Sequence, residues 1–493
     1  MRQQHRITGL AAALALGFSL PGCMTGQDYT RPELALPNHF KEQPGWKVVK
    51  GDEPPLRLNW WESFNDVLLN RLEAQVATNP SLAQAEAQFR QSLAAVDTTR
   101  AALFPRINAQ ASYTRSVQPK GQNEVVPGVR EVFTTALTAA WELDLWGRIR
   151  RQIEAGEATA FASAATISAL SLSLQSQLAQ SYFQLRTLDA QKKVLAESVE
   201  AFRKTVELTR NRYEAGVASK ADVVQAETQL TATQAQAIEL DVQRTQLEHA
   251  IAVLIGKAPA ELDIEASSEL TQLPSLPDAV PSTLLERRPD VVAAEQLMVA
   301  ANAQIGAARA AFFPNITLNF TNGFQNTRIE RLLTSASHYW ALGPAAAALP
   351  LFEGGAKNAQ LKQSIAAHQA TAAAYRQTVL SGFQEVEDSL SVLRVLEEEA
   401  RALAESVRTG QEAVKLTVNQ YKAGTTSFQA VLTAQTQSLV NERAAIGVHG
   451  RRLDAAVALV KALGGGWSTT SLRDHQPADE GVDWRHYLPY PES

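Results

Sequence analysis

Arg212-Tyr213-Glu214-Ala215-Gly216-Val217-Ala218-Ser219 and Gln420-Tyr421-Lys422-Ala423-Gly424-Thr425-Thr426-Ser427 are two versions of one turn, 421 − 213 = 208 residues apart. Each follows a long proline-free stretch with apolar residues at helical spacing. Gly216 and Gly424 suit a left-handed residue that ends a helix. Ser219 and Ser427 suit the N-cap of a returning helix. Each turn therefore reads as the tip of a helical hairpin.

The duplication extends outward from the tips. Asn79-Pro80 matches Arg288-Pro289 (289 − 80 = 209), and Leu103-Phe104-Pro105 matches Phe312-Phe313-Pro314 (314 − 105 = 209). Leu145-Trp146 matches Leu351-Phe352 (351 − 145 = 206), and Ile255-Gly256 matches Leu463-Gly464 (464 − 256 = 208). A period this long marks a duplicated domain rather than a short solenoid repeat. Each half reads as helix, two strands, long helix, turn, helix.

In the first half a helix from about Ser81 to Leu103 stops at Pro105. Ile107, Ala109, Ala111 and Tyr113 then alternate with Asn108, Gln110, Ser112 and Thr114, and a second alternation runs from Phe133 to Leu145. Alternation of this kind marks a half-buried strand. The second half repeats it with Ile316, Leu318 and Phe320. Its last strand, near Tyr339 to Phe352, is alanine-rich and less distinct. The strand pairs are expected to turn at 117–131 and 321–337.

The long helices carry heptads. Leu178, Leu185, Val199, Val206 and Tyr213 lie at multiples of seven, beside a second stripe of Leu188, Leu195, Phe202 and Thr209. Both stripes recur 208 residues on, through Val386, Leu393, Ala400, Val407, Val414 and Tyr421 and through Leu396, Leu403, Gly410 and Thr417. A sustained 3.5-residue period specifies knobs-into-holes packing with a left-handed twist. As one helix, 148–212 would be about 98 Å long at 1.5 Å per residue.

The start of the chain carries an address. Arg2, His5 and Arg6 precede an apolar run, Ile7 to Leu20, too short to span a membrane as a stop-transfer helix. Leu20-Pro21-Gly22-Cys23 resembles a bacterial lipoprotein cleavage box, with Pro21 where a small residue is usual. Cys23 is the only cysteine among the 493 residues, so it forms no internal disulfide. It is the candidate for lipidation, with each buried methylene of an acyl chain contributing about 0.8 kcal/mol of anchoring. Met24, rather than Asp, follows it, which resembles an outer-membrane address. The sequence divides into a signal peptide at 1–22, an N-terminal segment with the first repeat at 23–256 and a link at 257–288. The second repeat follows at 289–466, and a polar tail at 467–493 reads as poorly ordered.

The net charge of −5 points to no nucleic acid. Beyond the signal there is no run of about 18 apolar residues, so any membrane crossing is by strands. Four strands cannot close a barrel, and an open sheet edge in lipid is forbidden. Two, three or four copies would give eight, twelve or sixteen strands.

The tips at 212–230 (RYEAGVASKADVVQAETQL) and 419–439 (NQYKAGTTSFQAVLTAQTQSL) resemble those of the TolC/OprM/NodT outer-membrane factor family. So do the stretches 287–318 (RRPDVVAAEQLMVAANAQIGAARAAFFPNITL) and 350–355 (PLFEGG), and the lipobox and tandem halves agree. The resemblance runs from about Tyr29 to Gly466. It implies a mixed, mainly α, internally duplicated fold that assembles as a homotrimer. A twelve-strand transmembrane β-barrel would be continuous with a long periplasmic α-helical barrel of twelve helices. It implies a passive outer-membrane exit duct, anchored in outer-membrane lipid, that works with a periplasmic adaptor and an inner-membrane pump.

The residues carry no sign of catalysis. The eight histidines show no metal-ligand spacing, and there is no phosphate loop or nucleophile motif, so no cofactor, no metal and no enzyme activity are expected. In the resemblance the tips close the periplasmic end and meet the adaptor. That implies adaptor contacts at Gly216, Val217, Ala218, Ser219, Gly424, Thr425, Thr426 and Ser427. It implies a gate at Asp222, with Arg210 and Arg212 available to pair with it. Asp222 also reads as a helix-start carboxylate favoured by the helix dipole. Relatives carry further aspartates where this chain has Ala430 and Thr433, so closure rests on Thr426, Gln429 and Thr433. The competing reading is a periplasmic coiled-coil adaptor or structural lipoprotein, which would have one hairpin and no paired amphipathic strands.

Overall fold

The computed structural model describes residues 24–32, 40–42, 59–117, 129–274 and 288–466. Cys23, the signal peptide and the 467–493 tail lie outside them. The elements run α1 (Val67–Glu73), α2 (Pro80–Arg100), β1 (Arg106–Val117), β2 (Val129–Glu142), α3 (Arg148–Glu214) and α4 (Lys220–Leu254). The second half follows with α5 (Pro289–Ala310), β3 (Asn315–Asn326), β4 (His338–Ala348), α6 (Ala356–Lys422) and α7 (Phe428–Ala462). The duplication holds in length as well as order: α3 and α6 have 67 residues each, and α4 and α7 have 35 each.

The chain forms two compact units: Met1–Glu33, Gln88–Ser163 and Ala294–Tyr375 make one, and Leu34–Ala87, Ala164–Ala293 and Arg376–Ser493 the other. Each unit draws on both repeats, so neither repeat folds as a separate body.

The first unit holds an antiparallel sheet in the order β1-β2-β3-β4. The register puts Ile107, Ala109, Tyr113, Phe133, Leu137, Phe320, Trp340 and Leu342 on one face. The opposite face carries Asn108, Gln110, Ser112, Thr134, Thr138, Asn319 and Thr321. The apolar face is bare: Ile107 is 72% exposed, Trp340 67% and Leu342 70%. A soluble domain would bury it. Aromatics stand near both ends of the sheet, with Tyr113 against Phe133 at 4.8 Å near the loops and Trp146 stacked on Phe313 at 4.8 Å near the helices. Apolar-out, polar-in strands between aromatic girdles are the pattern of a membrane barrel. Twelve residues at about 3.3 Å each, tilted by about 45°, reach across the hydrocarbon layer. The outer edges of β1 and β4 have no partner strand among the described residues.

The sheet corrects one sequence expectation. β3 does not turn at Thr321 but pairs with β2 as far as Asn326, opposite Phe133. Asn322, Gly323 and Gln325 have low strand propensity, and ladder pairing overrides it.

The second unit is a helical core. Trp60, Phe64, Leu69, Tyr182, Phe183 and Leu185 pack with Ile251, Ile255, Leu453 and Val457. The first-half heptad residues Leu178, Leu185, Leu195, Phe202 and Thr209 are buried there, as the period requires. The matched prolines acquire a role. Asn79 Nδ2 donates to the Leu254 carbonyl (2.8 Å), and Arg288 Nη1 donates to the Ala462 carbonyl (2.9 Å). In each half the residue before the proline thus satisfies the frayed end of the returning helix. Among the described residues, no helix is long and apolar enough to cross a membrane.

Candidate functional site at the hairpin tips

Both tips lie in the second unit and close in the same way. Val217 N–H donates to the Arg212 carbonyl (2.9 Å) and Gly216 N–H to that of Tyr213 (2.9 Å). Thr425 and Gly424 donate likewise to Gln420 (3.0 Å) and Tyr421 (3.0 Å). This is a Schellman motif, which needs a left-handed residue. Gly216 and Gly424 supply it, each with φ of 76°. A Cβ added at either would meet nothing within 4 Å, so only backbone strain opposes a larger residue. Gly216→Val is therefore expected to cost about 1–2 kcal/mol. Gly216→Asn, which tolerates this conformation, should cost much less. Hydrogen exchange of the 212–222 amides in the purified trimer checks it, and equal protection in both variants would contradict it.

The N-caps diverge. Ser219 Oγ accepts from Asp222 N–H (3.1 Å), and Asp222 Oδ2 accepts from Ser219 N–H (3.1 Å), a complete capping box. Ser427 occupies the N-cap of α7, yet its side chain makes no capping bond. Ala430 stands where Asp222 stands in the first tip, so the reciprocal carboxylate is missing.

The expected pairing of Arg210 and Arg212 with Asp222 does not occur. Arg210 Nη2 donates to Glu227 Oε1 on the adjacent α4 (2.6 Å). Arg212 leans on the second hairpin, its guanidinium 4.7 Å from the Tyr421 ring centre and its Nη1 donating to the Lys422 carbonyl (3.4 Å). The Asp222 carboxylate turns back on its own helix start, while the arginines project from α3 toward different neighbours. The helix-start reading of Asp222 is thus satisfied, and among the described residues it makes no ion pair.

The two tips pack on each other through Val206, Ala226, Tyr421, Phe428 and Val431. Tyr421 is buried, whereas its repeat counterpart Tyr213 is 44% exposed. Tyr421 Oη and Arg212 Nε are buried without a hydrogen-bond partner. Of the remaining expected residues, Val217, Ser219, Thr425, Ser427, Gln429 and Thr433 are exposed, and Ala218 and Thr426 are half-buried. Thr433 Oγ1 is bonded within its own helix, to the Gln429 carbonyl (2.9 Å). Glu227 and the Arg212–Tyr421 contact were missed from the sequence. The heptads placed Tyr421 on a packing stripe but gave no azimuth to the facing hairpin.

Among the described residues, no group of three or more His, Cys, Asp or Glu could hold a metal ion. What the tips offer is a rigid, exposed surface of small and polar residues.

The profile of the outer membrane efflux protein family matches residues 72–257 and 280–465, one match per repeat. The antibiotic efflux pump outer membrane protein ArpC of Pseudomonas putida is 30% identical over 474 residues, covering 95% of this chain and 98% of its own. The toluene efflux pump outer membrane protein TtgC of the same species matches with the same identity and coverage. The solved structure of the outer-membrane channel OprN superposes with a TM-score of 0.85 at 31% identity, over 90% of this chain and 100% of that one.

Proposed function

The chain belongs to the outer membrane efflux protein family and is an outer-membrane exit duct of an efflux system, and we propose that it works as a lipid-anchored channel coupled through its hairpin tips to a periplasmic adaptor and an inner-membrane pump. Its fold class is that of the family: mainly α, duplicated, and trimeric, with twelve strands and twelve long helices supplied by three copies. The observation that carries the duct is the four-stranded sheet with a bare apolar face, a polar opposite face and two unpaired edges. Only closure with further copies satisfies those edges in lipid. The exposed Tyr213 fits the same assembly, since a neighbouring copy's second tip would cover it as this chain's own first tip covers Tyr421.

The duct performs no reaction of its own, and energy and choice of cargo lie with the pump. Two relatives of equal identity carry names for antibiotics and for toluene, which fits a conduit that selects weakly. The tips are the periplasmic gate and the adaptor contact, with Asp222 contributing a fixed charge and Thr426, Gln429 and Thr433 lining the closure. The reading is supported by connectivity, since the four strand ends joined to helices all lie at one end of the sheet.

Lipidation at Cys23 is supported by the strap that follows it. Thr25 N–H donates to the Trp146 carbonyl (3.1 Å), its Oγ1 to that of Gly306 (3.2 Å), and Arg151 Nη2 to Asp28 Oδ1 (2.8 Å). A Cβ on Gly147 would lie 2.9 Å from Met24 Cγ, so Met24 sits beside the aromatic girdle at the helix end of the sheet. Acyl chains on the preceding residue would start at the membrane boundary. The test is to isolate the outer-membrane fraction. A heat-dissociable, detergent-resistant trimer with an acylated N-terminal Cys23 is expected, with the acyl mass lost in Cys23→Ala while trimers persist. A soluble monomer, or an unmodified N-terminus elsewhere, would refute the corresponding part.

A further inference from the structure

The loop between β3 and β4 is the best-built feature at the sheet edge remote from the helices, and the duct role leaves it unused. It contains two short helical turns, Ile329–Arg331 and Ser335–Ser337. Ser337, only 5% exposed, is its hub: Oγ donates to the Arg331 carbonyl (2.8 Å) and accepts from Asn326 Nδ2 (2.6 Å). Thr334 Oγ1 donates to the same carbonyl (2.8 Å), and Arg328 N–H donates to Asn326 Oδ1 (3.0 Å). A loop tied by side chains in this way holds its exposed residues in fixed positions before anything binds.

Those residues are of two kinds. Arg328 and Arg331 are exposed and make no ion pair within the described residues. Ile329 and Leu333 are bare, at 60% and 75% exposure. The loop is continuous with the apolar face of the sheet, because β3 enters it just beyond Phe324 and β4 leaves it just before Trp340. Phe324 and Trp340 stand on that face, the one read as facing lipid. Apolar side chains beside an aromatic girdle, with arginines at the water side, match the chemistry of a lipid headgroup layer. Guanidinium forks bind phosphate oxygens in pairs, and a loop backbone that is already tied need not be ordered when they do.

We propose that the 327–337 loop is a binding site for a phosphate-bearing lipid of the outer leaflet, held by Arg328 and Arg331 and by insertion of Ile329 and Leu333. The inference rests on the transmembrane reading of the sheet. Glu330 is the one carboxylate in the loop and leaves it net positive, as a phosphorylated headgroup requires. Across three copies the sites would fasten the outer rim of the barrel to the lipid around it.

The test titrates the full-length trimer in neutral detergent with diphosphorylated lipid A, the same lipid without phosphates, and phosphatidylethanolamine, counting bound lipids by native mass spectrometry. Wild type should bind the diphosphorylated lipid in up to three copies, and added salt should weaken that binding. Arg328→Gln/Arg331→Gln should lose affinity about tenfold or more while still running as a heat-dissociable trimer. Ile329→Ser/Leu333→Ser should weaken binding of lipids with and without phosphate alike. Equal binding of the diphosphorylated lipid by wild type and the double-arginine variant overturns the proposal, as does equal binding of all three lipids. Displacement by millimolar inorganic phosphate alone would also overturn it, because the site would then be an anion site and not a lipid site. Loss of the trimer in every protein would instead count against the barrel.

Discussion

Asp189→Ala is expected to free the segment 262–267 from the helical core, raising its amide hydrogen exchange by about 100-fold or more, equivalent to about 3 kcal/mol of local stability. Asp189 is buried on α3, and both carboxylate oxygens are committed. Oδ1 accepts from Arg244 Nε (2.8 Å), and Oδ2 accepts from Arg186 Nη1 (3.3 Å) and from Ser267 N–H (3.1 Å). The arginines extend the clasp: Arg186 donates to the Glu265 carbonyl (2.8 Å) and Arg244 to that of Ile264. Glu248 Oε1 completes it by accepting from Ile264 N–H (2.6 Å). Removing the carboxylate takes the one acidic partner from the buried Arg186 and leaves Arg244 with Glu248 alone, which is worse than losing a surface pair. Asp189→Asn keeps one acceptor oxygen but no charge and should fall between wild type and alanine. Glu405→Gln breaks an exposed pair with Arg408 and should leave exchange unchanged. Exchange measured by mass spectrometry on the intact trimer decides the matter: similar protection of 262–267 in Asp189→Ala and wild type would show that apolar packing alone holds the link.

That clasp also shows where sequence reading stops. The heptads of α3 and α6 and the alternation of β1 were legible because each is a local period, and a period reports which residues share a face; it did not report burial, since β1, expected as a half-buried strand, is exposed on both faces in the single chain. β4 was faint because a run such as Ala345-Ala346-Ala347-Ala348 has no contrast between faces; its strand state comes from pairing with β3. The end of β3 was misplaced for the same reason. The clasp was invisible because, Arg186 apart, the partners of Asp189 are far off in sequence: Arg244 is 55 residues away and Ser267 is 78. No spacing rule joins Asp189 to Arg244 or Ser267. At the tips, residue types located the site, but partner choice was misread. Arg210, Arg212 and Asp222 are near neighbours in sequence, yet the helix reversal at Gly216 sends them to Glu227, Tyr421 and Ser219 instead.

That geometry sharpens what the tips should do to ions. Asp222 is capped by Ser219 and unneutralised by either arginine, so three copies present three fixed negative charges at the proposed gate. A ring of carboxylates favours cations in a pore. Asp222→Asn should therefore shift the reversal potential in a salt gradient toward zero selectivity. It also weakens the capping box, so a change in that variant alone leaves charge and cap confounded. Ser219→Ala separates them: it loses the serine half of the cap, at about 1 kcal/mol, and keeps the carboxylate. Selectivity should survive in Ser219→Ala and vanish in Asp222→Asn. The second tip supplies the converse. Ala430 occupies the position that Asp222 holds in the first repeat, and Ser427 is already an extended N-cap without a side-chain bond. Ala430→Asp should complete a capping box there, slow exchange of the 427–431 amides, and double the ring to six charges. Cation preference in planar bilayers should rise accordingly. If Ala430→Asp protects the helix start but leaves the reversal potential where it was, the tips cap helices without lining the conducting path, and the constriction lies elsewhere along the duct.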